Sequence, residues 1–332
     1  MIALPDREAL FHRLTQGENV NDTDLVLAIF RYQVSQNPIF QQYLSLINVD
    51  FEQVHKIESI PFLPVQLYKH HAIQSGIWEP ELIFESSSTT TAIPSKHLIR
   101  DIDWYDDLSL NIFESFFGPV DSKVILAVLP TYIERPNSSL VHMVRHFINK
   151  SNNPHSSFLL SDLNKLHSTL AVHLLDRRDV ILWGIPFALL DLASIGLIQS
   201  KGLTIIETGG MKGRRKEILR EELHQLLREQ FVGAKVCSEY GMTELLSQAY
   251  TGDNGRFIAA DTMQISLRQI NDPLSAELSG KIGAINVIDL ANLDTCSFIA
   301  TDDLGRLYSD GSFEVLGRLD DADLRGCNLM QI

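Results

Sequence analysis

The sequence predicts an α/β fold, a parallel sheet with crossover helices joined to a small antiparallel β subdomain. Two observations lead there. Between Val124 and Cys237, short apolar runs of strand length alternate with stretches of helical spacing, the pattern of parallel strands linked by helices. Beyond residue 251 the texture turns to short β-type segments broken by Asp and Gly, which reads as an antiparallel subdomain.

Residues 1–80 read as a helical N-terminal segment. Asp22-Thr23-Asp24 is a candidate N-cap before the apolar run Leu25 to Phe30, and Pro61 and Pro64 interrupt any helix downstream. Residues 81–250 read as the α/β core. There Val124 to Leu129 has strand length and Pro130 closes it. Ser138 and Ser139 supply a cap, after which Leu140, Met143, Val144, Phe147 and Ile148 recur at helical spacing, with His142 facing away from that stripe. Val180 to Trp183, Leu203 to Ile206 and Lys235 to Cys237 continue the strand series, with helices expected near 187–198 and 215–231. Ligands of such sheets sit at the C-terminal strand ends, so the turns after these strands are where chemistry is expected. Residues 251–319 form the β-rich subdomain through Gly283 to Leu290, Cys296 to Ala300 and Phe313 to Leu316, and 320–332 form a hinge-like tail.

Composition narrows the function. With 332 residues and 45% of positions apolar, the chain can bury a sizeable core. Forty-two acids against 28 Lys plus Arg give a formal charge of -14, which repels a polyanion and argues against nucleic acid as a partner. No stretch approaches the ~20 apolar residues of a membrane span, and early acids replace the apolar run of an export signal, so a cytoplasmic protein is expected. Three cysteines without metal-ligand spacing give neither a disulfide framework nor a zinc site. Cys237 and Cys296 lie in apolar strand patterns and are expected in the core. His70 and His71 are adjacent, and His142 and His146 stand four apart without a third ligand.

Four segments carry residues suited to a nucleotide. Ser86 to Thr91 are six consecutive hydroxyl residues, followed by Lys96; hydroxyls and backbone N–H groups wrap phosphate oxygens and an ammonium neutralises them, although a solvated Ser/Thr loop has the same composition. Glu207 to Lys216 (ETGGMKGRRK) follows a strand and precedes a helix, and paired glycines admit close approach of a ligand. Its four cations at a helix start oppose the macrodipole unless an anion binds, or else form a basic turn offset by Glu217, Glu221 and Glu222. Ser238 to Glu244 (SEYGMTE) ends another strand: Thr243 and Glu244 suit phosphate and Mg²⁺, and Tyr240 can stack on a base, while a helix cap is the alternative. Thr301 to Arg306 and Leu316 to Asp321 offer carboxylates for ribose hydroxyls and arginine for phosphate, or plain turns between strands.

In this order, the segments resemble the adenylate-forming superfamily of acyl-CoA synthetases and luciferases. The phosphate loop Ser-Ser-Gly-Thr-Thr-Gly resembles Ser87 to Thr91 with Lys96, although Ser88 and Thr91 stand where the loop usually has glycine. Tyr-Gly-x-Thr-Glu stands intact at Tyr240 to Glu244, and Thr-Gly-Asp-Leu and Gly-Arg-x-Asp-Asp match Thr301 to Leu304 and Gly317 to Asp321. Leu129 to Pro136 (LPTYIERP), Glu207 to Arg215, Ser238 to Gln248 and Arg325 to Leu329 (RGCNL) are similar to the LuxE-type acyl-protein synthetase branch, from about residue 60 onward.

That resemblance implies the large N-terminal domain of the superfamily, with its mobile C-terminal domain absent. It further implies ATP and Mg²⁺ as cofactors, a carboxylic acid (a fatty acid) as substrate and an acyl reductase or acyl-transferring protein as partner. Ser87, Ser88, Thr89, Thr90 and Lys96 would handle the triphosphate; Gly209, Gly210, Tyr240 and Gly241 the adenine; Asp303 and Arg318 the ribose side. Thr243 would contact the α-phosphate, Glu244 hold Mg²⁺ and Cys327 accept the acyl group; the lysine of the missing domain is either dispensed with or replaced by a nearby cation such as Lys212. Two other functions fit the same residues: an acyl-CoA ligase in which coenzyme A takes the acyl group, and a non-catalytic acyl- or nucleotide-binding subunit.

Overall fold

The computed structural model describes residues 6–87, 93–129, 135–159, 163–175, 179–209 and 218–319. They fall into two compact units, one built from residues up to 102, 241–249 and from 256 onward, the other from 103–240 and 250–255.

The first unit opens with helices α1 (Arg7–Thr15), α2 (Thr23–Gln36) and α3 (Pro38–Leu46). Asp22 caps α2 as expected, its carboxylate accepting the Leu25 N–H at 3.0 Å. Asn37 caps α3 through the N–H groups of Ile39 and Phe40, with Pro38 at the first helical position, where no N–H is needed. Regular helix ends at Leu46; short 3₁₀ turns follow around Pro61 and Pro64, together with strand β1 (Leu63–Pro64). Strands β2 (Leu82–Glu85) and β3 (Lys96–Ile99) then form an antiparallel hairpin in which Glu85 faces Lys96.

The second unit begins with helix α4 (Ile102–Phe117), counted from residue 103, and contains the predicted parallel series. The four long strands of that series are β4 (Lys123–Val128), β5 (Asp179–Gly184), β6 (Leu203–Thr208) and β7 (Lys235–Tyr240). β4 pairs with β5, β5 with β6 and β6 with β7, all parallel. The connecting helices include α5 (Ser139–Lys150), α6 (Leu163–Leu175), α7 (Pro186–Ala193) and α8 (Arg220–Gln230). Phe113 of α4, Phe147 of α5 and Trp183 of β5 pack together at centroid distances of 4.9 to 5.9 Å to make the aromatic centre of this unit.

One expectation for α5 is corrected. His142 does not face away from the core: it is buried with Val141, Met143, Val144 and Phe147, while Leu140 and Ile148 are only half-buried. Asp106 of α4 makes this possible, because its carboxylate accepts His142 Nε2 at 2.8 Å and pairs with His146 Nδ1 at 3.0 Å. A buried imidazole is tolerated once such a partner exists.

The C-terminal strands β8 (Phe257–Ala259), β9 (Met263–Arg268), β10 (Ile282–Asp289), β11 (Phe298–Leu307) and β12 (Phe313–Arg318) return to the first unit. β9 to β12 pair antiparallel in sequence order, β8 pairs with β12, and β1 adds parallel to β11. Phe298 of β11 meets Phe30 and Phe40 at 5.7 and 6.4 Å, which docks the N-terminal helices onto this sheet. Thr301 to Arg306, expected as a turn between strands, lies inside the ten-residue strand β11. Among the described residues no helix is long and apolar enough to cross a membrane.

Candidate active site

The hydroxyl-rich run is the connection of the β2–β3 hairpin. Its base is closed by Ser86 and Ser95: the Ser86 N–H donates to the Ser95 carbonyl at 3.0 Å, and the Ser95 N–H and hydroxyl both reach the Ser86 hydroxyl at 2.9 Å. Ser87 is exposed at the entrance, and Lys96 is exposed with its ammonium 3.8 Å from Glu85. Ser88, Thr89, Thr90 and Thr91 lie outside the described residues.

The Thr243-Glu244 turn belongs to the same unit, and buried side chains hold it from several directions. The Thr243 carbonyl accepts His97 Nδ1 at 2.8 Å, and the Glu244 carbonyl accepts the Asn292 amide at 2.8 Å. Asp289 accepts the N–H groups of Leu246 and Ser247 at 2.8 and 3.0 Å. Glu244 itself is only 6% exposed. Burial pushes its carboxyl above the ordinary carboxylate range; the Ser95 hydroxyl and Arg318 pull it back, and Asp303 adds to the rise. Glu244, Ser95, Asp303 and Arg318 therefore share one electrostatic neighbourhood.

Asp303 and Arg318 face each other across the β11–β12 ladder. Arg318 reaches Asp302 at 3.3 Å, and the Gln66 amide hydrogen-bonds the same Asp302 oxygen. The register shifts by one residue at Leu304-Gly305, a bulge that re-aims the strand at this point. A Cβ on Gly305 would run into the Glu314 carbonyl and the Ile285 side chain, which explains glycine there.

In the second unit β6 and β7 pair so that Thr208 faces Glu239, which brings the following residues, Gly209 and Tyr240, to the same ends of adjacent parallel strands. Gly209 has φ of 76°, a backbone conformation other residues adopt at a cost, and Tyr240 is buried. Beneath them lies a polar cluster. The Thr208 hydroxyl hydrogen-bonds Glu239, while the Ser238 hydroxyl donates to Glu207 at 2.5 Å and meets His224 Nε2 at 3.0 Å. Burial raises the Glu239 carboxyl to about 7, against the Thr208 bond and with some help from Glu207. Cys237 and Cys296 are free and buried, as expected, and burial raises their thiols to about 11 and about 12. Both are therefore protonated and unreactive near neutrality.

No family model and no curated relative matches the chain. Solved structures do. A 2-hydroxyisobutyryl-CoA ligase in complex with its acyl-AMP and CoA aligns over 96% of this chain and 73% of its own, at 14% identity and a TM-score of 0.69. ATP-bound MatB from Rhodopseudomonas palustris aligns over 74% of this chain and 50% of its own (18% identity, TM-score 0.54). An O-succinylbenzoate coenzyme A synthetase from Bacillus subtilis with AMP aligns over 72% and 49% (17% identity, TM-score 0.51). The chain has the fold of the adenylate-forming ligases.

Within that fold, the described members of the expected site fall into two groups: Ser87, Lys96, Gly241, Thr243, Glu244, Asp303 and Arg318 in one unit, Gly209 and Tyr240 in the other. Gly210, Lys212 and Cys327 lie outside the described residues, as does the tail 320–332. His97, Asn292 and Asp289 were not expected at the site. His97 had one signal, its position next to Lys96 behind the hydroxyl run; Asn292 and Asp289 are some fifty residues from the motif they hold and had none. Among the described residues no cluster of three His, Cys, Asp or Glu is arranged to hold a metal ion by itself.

Proposed function

We propose that the protein activates a carboxylic acid, a fatty acid by its LuxE-type resemblance, as the acyl-adenylate and passes the acyl group to its own Cys327. In the first half-reaction a carboxylate oxygen attacks the α-phosphorus of ATP, the bond to the bridging oxygen of the β-phosphate breaks, and pyrophosphate leaves. In the second, the Cys327 thiolate attacks the acyl carbonyl carbon and AMP departs. A reductase or other acyl-accepting protein is then the partner that discharges the thioester, and the cytoplasm is the expected compartment.

The observation that carries this reading is the buried Glu244 on a turn pinned by His97, Asn292 and Asp289, with Ser95, Asp303 and Arg318 around its carboxylate. A carboxylate raised by burial and by a second acid suits a cation, and Mg²⁺ takes few protein carboxylates and completes its shell with phosphates and water. Glu244 would hold Mg²⁺, which when bound offsets charge on the phosphates. In this reading Thr243 contacts the α-phosphate, while Ser87 to Thr90 and Lys96 surround the β- and γ-phosphates. Gly209, Gly210 and Tyr240 accommodate adenine, with Gly241 leaving backbone room beside it, and Asp303 binds the ribose with Arg318 beside it. Lys212 supplies the cation near the reacting carboxylate. Catalysis of this kind is positioning plus electrostatics.

An acyl-CoA ligase is the second reading, favoured by two of the solved neighbours, a CoA ligase and a coenzyme A synthetase. Pyrophosphate exchange into ATP over a panel of carboxylic acids tests adenylation, and absence of exchange with every acid removes both readings in favour of a binding subunit. Labelled acid and ATP then separate the two: a hydroxylamine-labile label on the protein, lost in Cys327→Ser, supports the protein thiol. A label that survives that change, or acyl transfer only to added coenzyme A, overturns it.

A further inference from the structure

We propose that His97 is the positioning residue of the Thr243-Glu244 turn, fixed as one neutral tautomer that ties the β2–β3 hairpin to that turn; this rests on the adenylation reading. The imidazole is 1% exposed, with both nitrogens engaged. Nδ1 lies 2.8 Å from the Thr243 carbonyl oxygen and Nε2 lies 3.1 Å from the Thr295 hydroxyl. A carbonyl only accepts, so Nδ1 carries the hydrogen. The ring is neutral, since burial lowers its pKa to about 4, and Nε2 therefore accepts from the Thr295 hydroxyl.

Each neighbour enforces that choice. The Thr295 carbonyl takes the Ser75 hydroxyl at 2.6 Å and the Asn37 amide at 3.1 Å, so Thr295 is fixed in place. Tyr68 packs edge-on against the imidazole at 5.8 Å and closes it from solvent. Turning the ring over would set Cδ2–H against the Thr243 carbonyl and Cε1–H against the Thr295 hydroxyl, so both hydrogen bonds would be lost. His97 sits one residue after Lys96 and two after Ser95, whose hydroxyl bears on the Glu244 carboxylate. One short strand thus aims the hydroxyl-rich loop and, through the Thr243 carbonyl, the backbone from which Glu244 projects.

Asparagine and glutamine separate positioning from space filling. His97→Asn keeps an amide N–H where Nδ1 stands, and His97→Gln keeps a polar group only where Nε2 stands. With saturating acid, the maximal rate of pyrophosphate exchange in His97→Asn is expected within about threefold of wild type. In His97→Gln and His97→Ala it is expected to fall on the order of 10- to 100-fold, the scale of a misplacement near 1 Å, with KM for the acid little changed. Equal loss in the Asn and Gln variants, or no loss in Gln, overturns the inference. ATP binding with and without Mg²⁺ is measured on the same proteins, so that the two readings fail differently. If no acid supports exchange, adenylation has failed, and the inference is judged by whether the Mg²⁺-dependent part of ATP affinity survives in Asn and is lost in Gln. A wild-type chain that neither exchanges nor binds ATP overturns both.

Discussion

Asp289 holds Ser247 with both carboxylate oxygens: Oδ1 accepts the hydroxyl at 2.7 Å and Oδ2 accepts the backbone N–H at 3.0 Å. The same carboxylate takes the N–H of Leu246 at 2.8 Å, and the group is fully buried. A buried carboxylate persists only when donors replace the lost water, and here four are present, counting Ala291 at 3.2 Å. Asp289→Ala strands those donors, and each unsatisfied group costs about 1–3 kcal/mol. The expected loss is therefore roughly 3 kcal/mol or more in urea unfolding, with Asp289→Asn losing less. A change under about 1 kcal/mol for the alanine variant would show that the turn is held by other means.

Glu244 should respond in the opposite way. Its carboxylate is buried and its protonated form is favoured by that burial, so Glu244→Gln removes a charge the fold does not need and keeps the side-chain volume. Stability is expected to hold or rise slightly. Pyrophosphate exchange should fall on the order of 10²–10³-fold, the usual cost of one electrostatic contact at a reacting centre. Near-normal exchange by a folded Glu244→Gln protein would take Glu244 out of the metal role.

The contrast between those residues shows what the sequence could and could not convey. Strands β4 to β7 and helices α2, α5, α7 and α8 were legible because apolar periodicity and caps such as Asp22 are local signals. Glu244 was legible as part of a motif of five consecutive residues. Asp289 and His97 act across 42 and 146 residues, and nothing local distinguishes a carboxylate that holds a distant turn from one on a solvated strand. His142 was misjudged for a related reason. Its helical position alone looks peripheral, and Asp106, on another helix, supplies a partner for the buried ring. Thr301 to Arg306 looked like a turn because Asp and Gly favour turns, yet the sheet neighbours on both sides extend it into a strand.

Gly305 tests that last point. In β11 it passes so close to the Glu314 carbonyl and Ile285 that no side chain fits without moving backbone. Gly305→Ala should cost about 1–3 kcal/mol, the range for overpacking a filled interior. The bulge that follows Leu304 should shift with it, moving Asp303 relative to Arg318. Urea unfolding gives the first effect and the KM for ATP in exchange the second. A stable Gly305→Ala protein with unchanged KM would mean that the bulge has no part in holding Asp303.

Two buried groups, His97 and Glu239, give the stability profile opposite slopes in nearly the same pH window. For His97 the folded value is lowered to about 4 from the usual 6.5, so the unfolded chain binds more protons between them and stability is lost as pH falls through that range. For Glu239 the folded value is raised to about 7 from 4.5, so the folded chain binds more protons and stability is lost as pH rises through that range. Either shift corresponds to about 3 kcal/mol at most, and in the wild type the two largely cancel. Glu239→Gln keeps an acceptor for the Thr208 hydroxyl and removes only the falling leg. Its melting temperature should match wild type near pH 4.5 and exceed it by several degrees at pH 8. His97→Asn should do the reverse at the acid end, flattening the loss below pH 6.5. If Glu239→Gln shifts melting equally at pH 4.5 and pH 8, the carboxyl is not held neutral by the fold, and burial between β6 and β7 does not set its proton affinity.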